Sequence, residues 1–239
     1  MRGLFVTGTD TEVGKSMLAA AVCAGLTARG LRVAAFKPAV TGLDEEAGGW
    51  PPDHELLASV TNAGQSAEEL APARFGPPVS PHHAAELAGE PLNPDDLVAS
   101  AEAAGVGADV LICEGVGGLM VPLARDYLIR DLAVELGLPL LVAARPDLGT
   151  INHSLLTVEA ARAAGLEVAA VVLTPWREGP SPMERSNRQT IAALAGVTVA
   201  TLPVTRPERR SLAAASLSLP LDDWLASAIR PGARIGSPA

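Results

Sequence analysis

The chain has 239 residues, of which 48% are hydrophobic and 19% are charged, and its 18 basic and 27 acidic residues give a net charge of −9. This composition can bury a sizeable core, which excludes wholesale disorder. The negative charge argues against a nucleic-acid partner that is bound through a basic surface. Apolar runs are far shorter than the roughly 18 residues of a membrane span, and no signal peptide is evident. We therefore expect a cytoplasmic protein with no membrane partner.

Short apolar segments alternate with Ala- and Leu-rich helical stretches. Strands are predicted at 3–7, 32–36, 110–113, 138–143, 167–173 and 197–202, and helices at 15–29, 54–59, 95–104, 129–136, 151–164 and 183–194. Continuous apolar runs are typical of strands covered on both faces, as in a parallel sheet. The repeated strand–helix–strand spacing predicts an α/β fold with a doubly wound, mostly parallel sheet, which binds ligands beyond the carboxyl ends of its strands.

A glycine-rich segment follows the first predicted strand and opens the first predicted helix. It reads Gly8-Thr-Asp-Thr-Glu-Val-Gly-Lys-Ser16, one residue longer between its glycines than the strict phosphate-loop pattern. Consecutive backbone N–H groups there can wrap a phosphate, and the helix dipole adds to the attraction. Lys15 would reach the outer phosphates and the Ser16 hydroxyl would coordinate Mg²⁺. The segment therefore predicts nucleotide binding in a P-loop NTPase-like fold.

A predicted strand that ends in an acid supplies a candidate metal ligand. Residues 110–113 lead into Glu114, which three glycines follow within four residues. In phosphate-loop proteins an acid at this place helps to hold Mg²⁺, and the glycines leave room for a ligand. A second acid could come from the 40–94 segment. Asp53 precedes a predicted short helix there, but its position alone does not separate it from the acids at 44–46.

The two lysines of the chain point to the same place. Lys15 and Lys37 are the only lysines among the 18 basic residues. Both follow strand-like runs, so a parallel sheet would bring them to one edge. A compact ammonium differs from a planar guanidinium where phosphate oxygens must be held and released. We interpret the pair as part of the site.

The domain organisation follows from these segments. We predict one P-loop α/β domain over residues 1–229. Residues 40–94, rich in Pro, Gly and acids, are long for a connection and are predicted to form a substrate- and metal-binding loop region with short helices. Residues 230–239 are predicted to be a disordered tail. Cys23 and Cys113 lie in apolar surroundings and are interpreted as buried thiols without a disulfide.

Four segments together resemble the dethiobiotin synthetase family, in an actinobacterial-like variant. They are the loop 8–16, Lys37-Pro-Ala-Val-Thr-Gly42, Glu114-Gly-Val-Gly-Gly118 and Gly149-Thr-Ile-Asn-His153, in family order from about residue 2 to about residue 205. Single segments are shared with partition-type ATPases and with cobyrinic-acid amidating synthetases. The loop with Glu12, combined with Lys-Pro-x-x-Thr-Gly, is much more specific.

The resemblance implies an ATP- and Mg²⁺-dependent ligase that closes a ureido ring in biotin biosynthesis. One amine of 7,8-diaminononanoate reacts with CO₂ to form a carbamate, ATP phosphorylates the carbamate, and the second amine displaces phosphate. Such a site must hold two anions face to face, which requires concentrated positive charge. Phosphoryl transfer depends mostly on positioning and electrostatics, so no nucleophilic side chain is needed.

The resemblance also assigns residues. The catalytic residues it implies are Lys37, Lys15 and Thr11, and the metal ligands are Ser16, Asp53 and Glu114. The nucleotide site comprises Thr9, Glu12, Val13, Gly14, Lys15, Ser16, Glu114, Gly115, Val116, Gly117, Thr174, Pro175, Leu202, Pro203 and Val204. The substrate site comprises Thr41, Ser80, Pro81, Gly149, Thr150, Ile151 and Asn152.

Two features of this assignment carry further expectations. Where the common family pattern has an Asn-Asp-like pair that reads adenine, this sequence has Thr174-Pro175-Trp176. A single rotating hydroxyl replaces an amide, so we expect weaker discrimination between nucleotide bases. In the family, the carboxylate of the substrate binds to the start of the helix that follows Gly149, and this helix comes from the second subunit. The resemblance therefore implies a homodimer with a shared active site. Ordinary capping by Thr150 is the alternative interpretation of that segment.

Three other functions were weighed. A partition- or septum-type ATPase usually carries a second lysine early in its loop, and the Thr9-Asp10-Thr11 stretch has none. A cobyrinate-type amidating synthetase needs a glutaminase domain, for which 239 residues leave no room. A small-molecule P-loop kinase would leave the Lys-Pro-x-x-Thr-Gly segment unexplained. The partition-type ATPase remains the main alternative.

Overall fold

The computed structural model describes residues 1–45 and 49–227. The strands are β1 Gly3–Gly8, β2 Val33–Phe36, β3 Ala39–Val40, β4 Ala73–Arg74, β5 Val110–Gly118, β6 Pro122–Ala124, β7 Tyr127–Leu128, β8 Leu140–Ala144, β9 Val168–Trp176 and β10 Thr198–Pro203. The helices are α1 Lys15–Ala28, α2 Asp53–Val60, α3 Ala67–Leu70, α4 Pro81–Ala88, α5 Pro94–Gly105, α6 Ile129–Leu136, α7 Thr150–Ala163, α8 Pro182–Ala195, α9 Arg209–Ala215 and α10 Leu221–Ser227.

Six parallel strands form the central sheet in the order β10-β9-β8-β1-β5-β2. The predicted doubly wound parallel sheet is thus confirmed, and all six predicted strands are present. The chain leaves β1 toward β2 and β5 on one side, then continues through β8, β9 and β10 on the other. This reversal opens a crevice at the carboxyl end of β1, where doubly wound folds bind their ligands.

The core lies on both faces of the sheet, because its strands are continuously apolar. β1, β2 and β8 are buried along their whole length. On one face they pack with α1, α2, α9 and α10, and on the other with α5 and α6, while α7 and α8 cover the β8–β9 side. The middle of α1 is buried all round, as expected of an Ala-rich helix that lies between the sheet and other helices. Cys23 and Cys113 are both buried and free, as predicted.

The 40–94 segment holds the main unpredicted structure. Short helices were predicted in this segment, but only α2 was located; the positions of α3 and α4 and the parallel pair β3–β4 were not predicted. α9 and α10 near the C-terminus were also unpredicted. The proposed tail, 230–239, lies outside the described residues. Within residues 1–45 and 49–227, no helix combines the length and the apolar character that a membrane crossing requires.

Close packing of α1 against the C-terminal helices yields a stability prediction. A Cβ added at Gly25 would lie 2.2 Å from Ser216 Oγ and 2.7 Å from Ser216 Cβ. Gly25→Ala gains about 1 kcal/mol of helix propensity but overpacks a buried contact, which costs roughly 1–3 kcal/mol. We expect net destabilisation by about 1 kcal/mol in urea unfolding. The double variant with Ser216→Gly should recover that loss, and simple additivity of the two changes would contradict the packing explanation.

Candidate functional site

The phosphate loop joins the end of β1 to the start of α1 at the centre of the sheet edge. Gly14 caps the helix in the left-handed conformation, with φ 86°, which glycine adopts at little steric cost. Glu12 also has a positive φ of 53°. The Thr9 N–H donates to the Ala143 carbonyl at 3.0 Å, which fixes the loop to β8. Lys15 and Ser16 therefore open the helix directly beside the crevice.

A cluster of charged side chains lies next to the loop, built by the pairing of β2 with β5. The register places Phe36 opposite Cys113, so the following residues, Lys37 and Glu114, emerge side by side. Lys37 Nζ donates to Glu114 Oε1 at 2.5 Å and to Asp53 Oδ2 at 2.7 Å. Asp53 is the first residue of α2, so this bond ties the 40–94 segment to the sheet. The structure thus brings together three residues that are distant in the sequence.

The same cluster includes both residues that open α1. The Ser16 hydroxyl donates to Glu114 Oε1 at 2.7 Å, and Lys15 Nζ donates to the Asp10 carbonyl at 2.7 Å. Burial and then the nearby Lys37 ammonium lower the pKa of Lys15 to about 8. The two lysines therefore lie within electrostatic range of each other, as their positions in the sequence predicted.

Burial and ion pairing shift the pKa values of the other charged groups in opposite directions. Burial alone would lower the pKa of Lys37, but Asp53 and Glu114 outweigh it and raise that pKa. Burial raises the pKa of Glu114 despite its bond to Lys37. The pKa of Asp53 is lowered, because the Lys37 ammonium outweighs the burial of the carboxylate. A protonated Lys37 is therefore part of what keeps the two acids ionised.

The oxygen atoms of the cluster fit a Mg²⁺ ion. Glu114 is fully buried, yet its Oε2 atom accepts no hydrogen bond from the residues that the structure describes. An unpaired buried carboxylate oxygen is costly, which indicates that a ligand completes it. Ser16 Oγ and the part-exposed Asp53 carboxylate supply further hard oxygen donors of the kind that Mg²⁺ prefers. Within residues 1–45 and 49–227, the site has only two carboxylates, and no group of three or more His, Cys, Asp or Glu side chains is arranged to hold a metal ion.

The glycines after Glu114 continue β5 rather than following it, which extends the predicted strand to Gly118. Gly118 pairs with Gly8, and a Cβ at Gly117 would lie 3.8 Å from Thr11 Cγ2, so this stretch lies against the phosphate loop. Val116 packs in a small apolar cluster with Ala39 and with Val79. That cluster brings the start of α4 toward the same edge.

Three of the predicted substrate residues lie at the start of α4 and directly after β3. Ser80 and Pro81 start α4, where the Ser80 hydroxyl is 3.0 Å from His82 Nδ1. Thr41 is half-buried directly after β3. No hydrogen bond joins these side chains to the charged cluster among the described residues.

The predicted base-binding residues lie at the carboxyl ends of β9 and β10. The Val204 N–H donates to the Trp176 carbonyl at 3.1 Å, which joins the two strand ends. Pro175 and Val204 are exposed, but only 3% of Thr174 is. A Cβ at Gly14 would lie 2.8 Å from Thr174 Cγ2, so the Thr174 methyl packs against the phosphate loop.

A cavity of about 170 Å³ lies between the phosphate loop and the start of α7. Its lining residues are Thr9, Asp10, Val13, Arg145, Asp147, Leu148, Thr150 and His153. Thr150 thus faces the loop of its own chain, while Ile151 is half-buried and Asn152 is exposed. Sequence reasoning missed Arg145 and Asp147. Their position after a buried strand and before a helix-opening glycine was the available signal.

The sheet and its phosphate loop define the class of this protein. A family model described as an AAA domain matches residues 2–207. Solved structures with the same fold include a cell division ATPase MinD from Pyrococcus furiosus, at 17% identity and a TM-score of 0.56 over 96% of this chain and 98% of that one. A ParA family ATPase from Chlorobium tepidum aligns at 11% identity and a TM-score of 0.55 over 96% of this chain and 99% of that one. The protein has a P-loop NTPase-like α/β fold.

Sequence relatives identify the family within this class. The chain is 41% identical to the ATP-dependent dethiobiotin synthetase BioD of Anaeromyxobacter sp. (strain Fw109-5), over 82% of this chain and 86% of that protein. It is 35% identical to the protein of the same name from Bacillus subtilis (strain 168), over 83% of this chain and 85% of that protein. The chain belongs to the ATP-dependent dethiobiotin synthetase family of ligases. The family resemblance stated from the sequence is confirmed.

The charged cluster predicts how the metal-free protein responds to loss of Lys37. Lys37→Met leaves two neighbouring acids without their cation, and breaking a buried ion pair costs about 3 kcal/mol. We expect a loss of that size in urea unfolding without metal, and partial recovery on adding MgCl₂ as the divalent cation takes over the balancing of charge.

Lys15→Met is the matched control for this prediction. Among the described residues, the Lys15 ammonium donates to the Asp10 carbonyl and forms no hydrogen bond to a carboxylate. Its removal should cost much less stability and should not increase the response to MgCl₂. Equal losses in the two variants, or no difference in their response to MgCl₂, would contradict the role of Lys37 as the counter-ion.

Proposed function

We propose that this chain catalyses the ATP- and Mg²⁺-dependent conversion of 7,8-diaminononanoate and CO₂ to dethiobiotin. One amine of the substrate adds CO₂ and loses a proton to form a carbamate. A carbamate oxygen takes the γ-phosphoryl group of ATP, which leaves ADP. The second amine then attacks the carbonyl carbon of this carbamic–phosphoric anhydride, closes the five-membered ureido ring and expels inorganic phosphate.

A single observation carries the proposal: two ammonium groups and two carboxylates converge beside one phosphate loop. Lys37 donates to Glu114 Oε1 at 2.5 Å and to Asp53 Oδ2 at 2.7 Å. The Ser16 hydroxyl donates to the same Glu114 oxygen, so Lys37 and Ser16 share one acceptor. The reaction must bring a carbamate and a triphosphate together against their repulsion. Fixed cations in a buried site oppose that repulsion strongly.

Each residue of the cluster has a proposed task. Lys15 binds the β- and γ-phosphoryl oxygens, and Lys37 binds the carbamate and the phosphoryl group during transfer. Thr11 of the loop contacts the carbamate end of the diamine. Mg²⁺, when bound, supplies positive charge at the phosphates, and Ser16, Asp53 and Glu114 would hold it.

The rest of the binding residues follow from the family assignment and from position. Backbone N–H groups of the loop wrap the phosphates, and the ends of β9 and β10 bound the base. Thr41 and the start of α4 would contact the diamine. In a homodimer, the start of α7 of one subunit would bind the carboxylate of the diamine that is held by the other subunit. A cytoplasmic location remains a prediction from the sequence.

The proposed reaction is tested by the co-substrate dependence of ATP hydrolysis. We expect phosphate release only when 7,8-diaminononanoate and bicarbonate are both present, with dethiobiotin formed in equal amount. Omitting either one is the control, because an uncoupled ATPase would not respond. Hydrolysis independent of the diamine, or stimulated by DNA or lipid vesicles, would contradict the proposal and favour a partition-type ATPase.

The base-binding residues generate a second prediction, on nucleotide preference. Thr174 offers one hydroxyl, and its methyl packs against Gly14, so no amide reads the Watson–Crick edge of the base. We expect turnover with CTP and GTP within about tenfold of that with ATP at equal concentration, since a site built to read a base discriminates far more strongly. A preference for ATP of several orders of magnitude would contradict this interpretation.

A further inference from the structure

The connection between β8 and α7, residues 145–149, forms one wall of the cavity beside the phosphate loop. Arg145, Asp147 and Leu148 line the cavity from this side, and Thr9 and Asp10 from the other. All three of the wall side chains are exposed, so their own packing does little to hold the wall in place. Apart from the buried Pro146, the wall is therefore held mainly by contacts of its backbone.

One side chain of a different element makes those contacts. Asn187 lies in α8 behind the wall and is only 5% exposed. Its Nδ2 donates to the Pro146 carbonyl at 2.9 Å and to the Asp147 carbonyl at 3.3 Å. The Asp147 carbonyl also accepts the Thr150 N–H at 3.2 Å. A single buried amide therefore ties α8 to the wall and to the first turn of α7.

Which ligand the wall faces follows from the layout of the site. The base-binding strand ends and Thr174 are not among the residues that line this cavity, whereas Thr9, Asp10 and Val13 of the phosphate loop are. Arg145 lines it together with Asp10 and Asp147, so the N–H groups of the first turn of α7, and not the charge of the lining, are what suits a carboxylate. The proposed function places the carboxylate end of the diamine at the start of α7, in a site shared by two subunits, so the wall lies beside that end of the substrate.

We propose that Asn187 is a positioning residue for the diamine: it fixes the 145–149 wall through two backbone carbonyls and does not touch the substrate itself. This inference rests on the proposed function. Without the amide, the Pro146 carbonyl would lose a donor in a buried place and the Asp147 carbonyl would keep only the Thr150 N–H, so the wall would shift or become mobile. The nucleotide subsite is held by other contacts, including the Thr9–Ala143 bond, and should be unaffected.

A graded set of variants tests this role. Asn187→Asp keeps the shape but turns a carboxylate oxygen toward two carbonyls, Asn187→Ala removes the donor, and Asn187→Ser keeps one shorter donor. We expect the KM for the diamine to rise by roughly tenfold or more in the Asp variant, less in Ala and least in Ser. The kcat and the KM for ATP should change by less than about twofold.

Arg188→Gln is the matched control on the same helix. Arg188 donates from Nε to the Val199 carbonyl, away from the wall. This variant should leave the KM for both substrates unchanged. A second measurement is independent of activity: amide hydrogen exchange at 147–151 should accelerate in the Asp and Ala variants and not in Arg188→Gln. The Ala and Ser variants keep the test valid if the Asp variant folds poorly.

Each outcome has one meaning. An unchanged diamine KM in the Asp and Ala variants, or an equal rise in the KM for ATP and diamine, would overturn the role of Asn187 while the wild-type reaction stands. A wild-type protein that does not turn over the diamine would instead overturn the proposed function, and this inference with it. A selective rise in the diamine KM, with faster exchange of the wall, would support both.

Discussion

The Lys37 ammonium, held between the carboxylates of Glu114 and Asp53, is the interaction on which the site depends. A buried carboxylate without a cation would take up a proton, and a buried ammonium without carboxylates would lose one. Each member therefore keeps the others charged. Because Ser16 also bonds to Glu114, this one cluster joins β2, β5, α1 and α2. The phosphate loop is thus fixed relative to the acids by side chains as well as by the sheet.

Much of the sheet could be predicted from the sequence, because parallel strands buried on both faces are continuously apolar and glycines follow several helices. The end of β5 was harder to predict from the sequence. Glu114 appeared as an acid after the strand, whereas it lies inside it, and its cation is 77 residues away. Short elements were missed for a different reason: α3 has four residues, too few for a helical period to show. α4 did carry a signal, a proline at its first helical position after Ser80.

The residues of the candidate site also differ in how far the sequence alone could reveal them. Residues within a motif, such as Lys15 and Ser16, are recognisable because backbone and side chain act together over a short stretch. Asp53 was indistinguishable from neighbouring acids by its position alone; the family resemblance singled it out, and its bond to Lys37 at 2.7 Å places it in the charged cluster. Asn187 had no signal at all in the sequence, since it acts through carbonyls about 40 residues away that any residue could supply. Contacts between elements set these roles, and local patterns do not record them.

The same sheet occurs in proteins that are only 11–17% identical to this chain, so the chemistry must reside in the side chains at its edge. Lys15 and Lys37 carry two positive charges there, and Asp53 and Glu114 two negative ones, so the cluster is neutral. A divalent cation alone or a polyanion alone would each leave a buried site with unbalanced charge, which a low-dielectric environment disfavours. Together they balance in part, because the divalent cation offsets some of the negative charge of the polyanion. A cluster with two ammonium groups and an unpaired Glu114 oxygen is therefore better suited to phosphate oxygens that arrive with a metal ion than to phosphate oxygens alone.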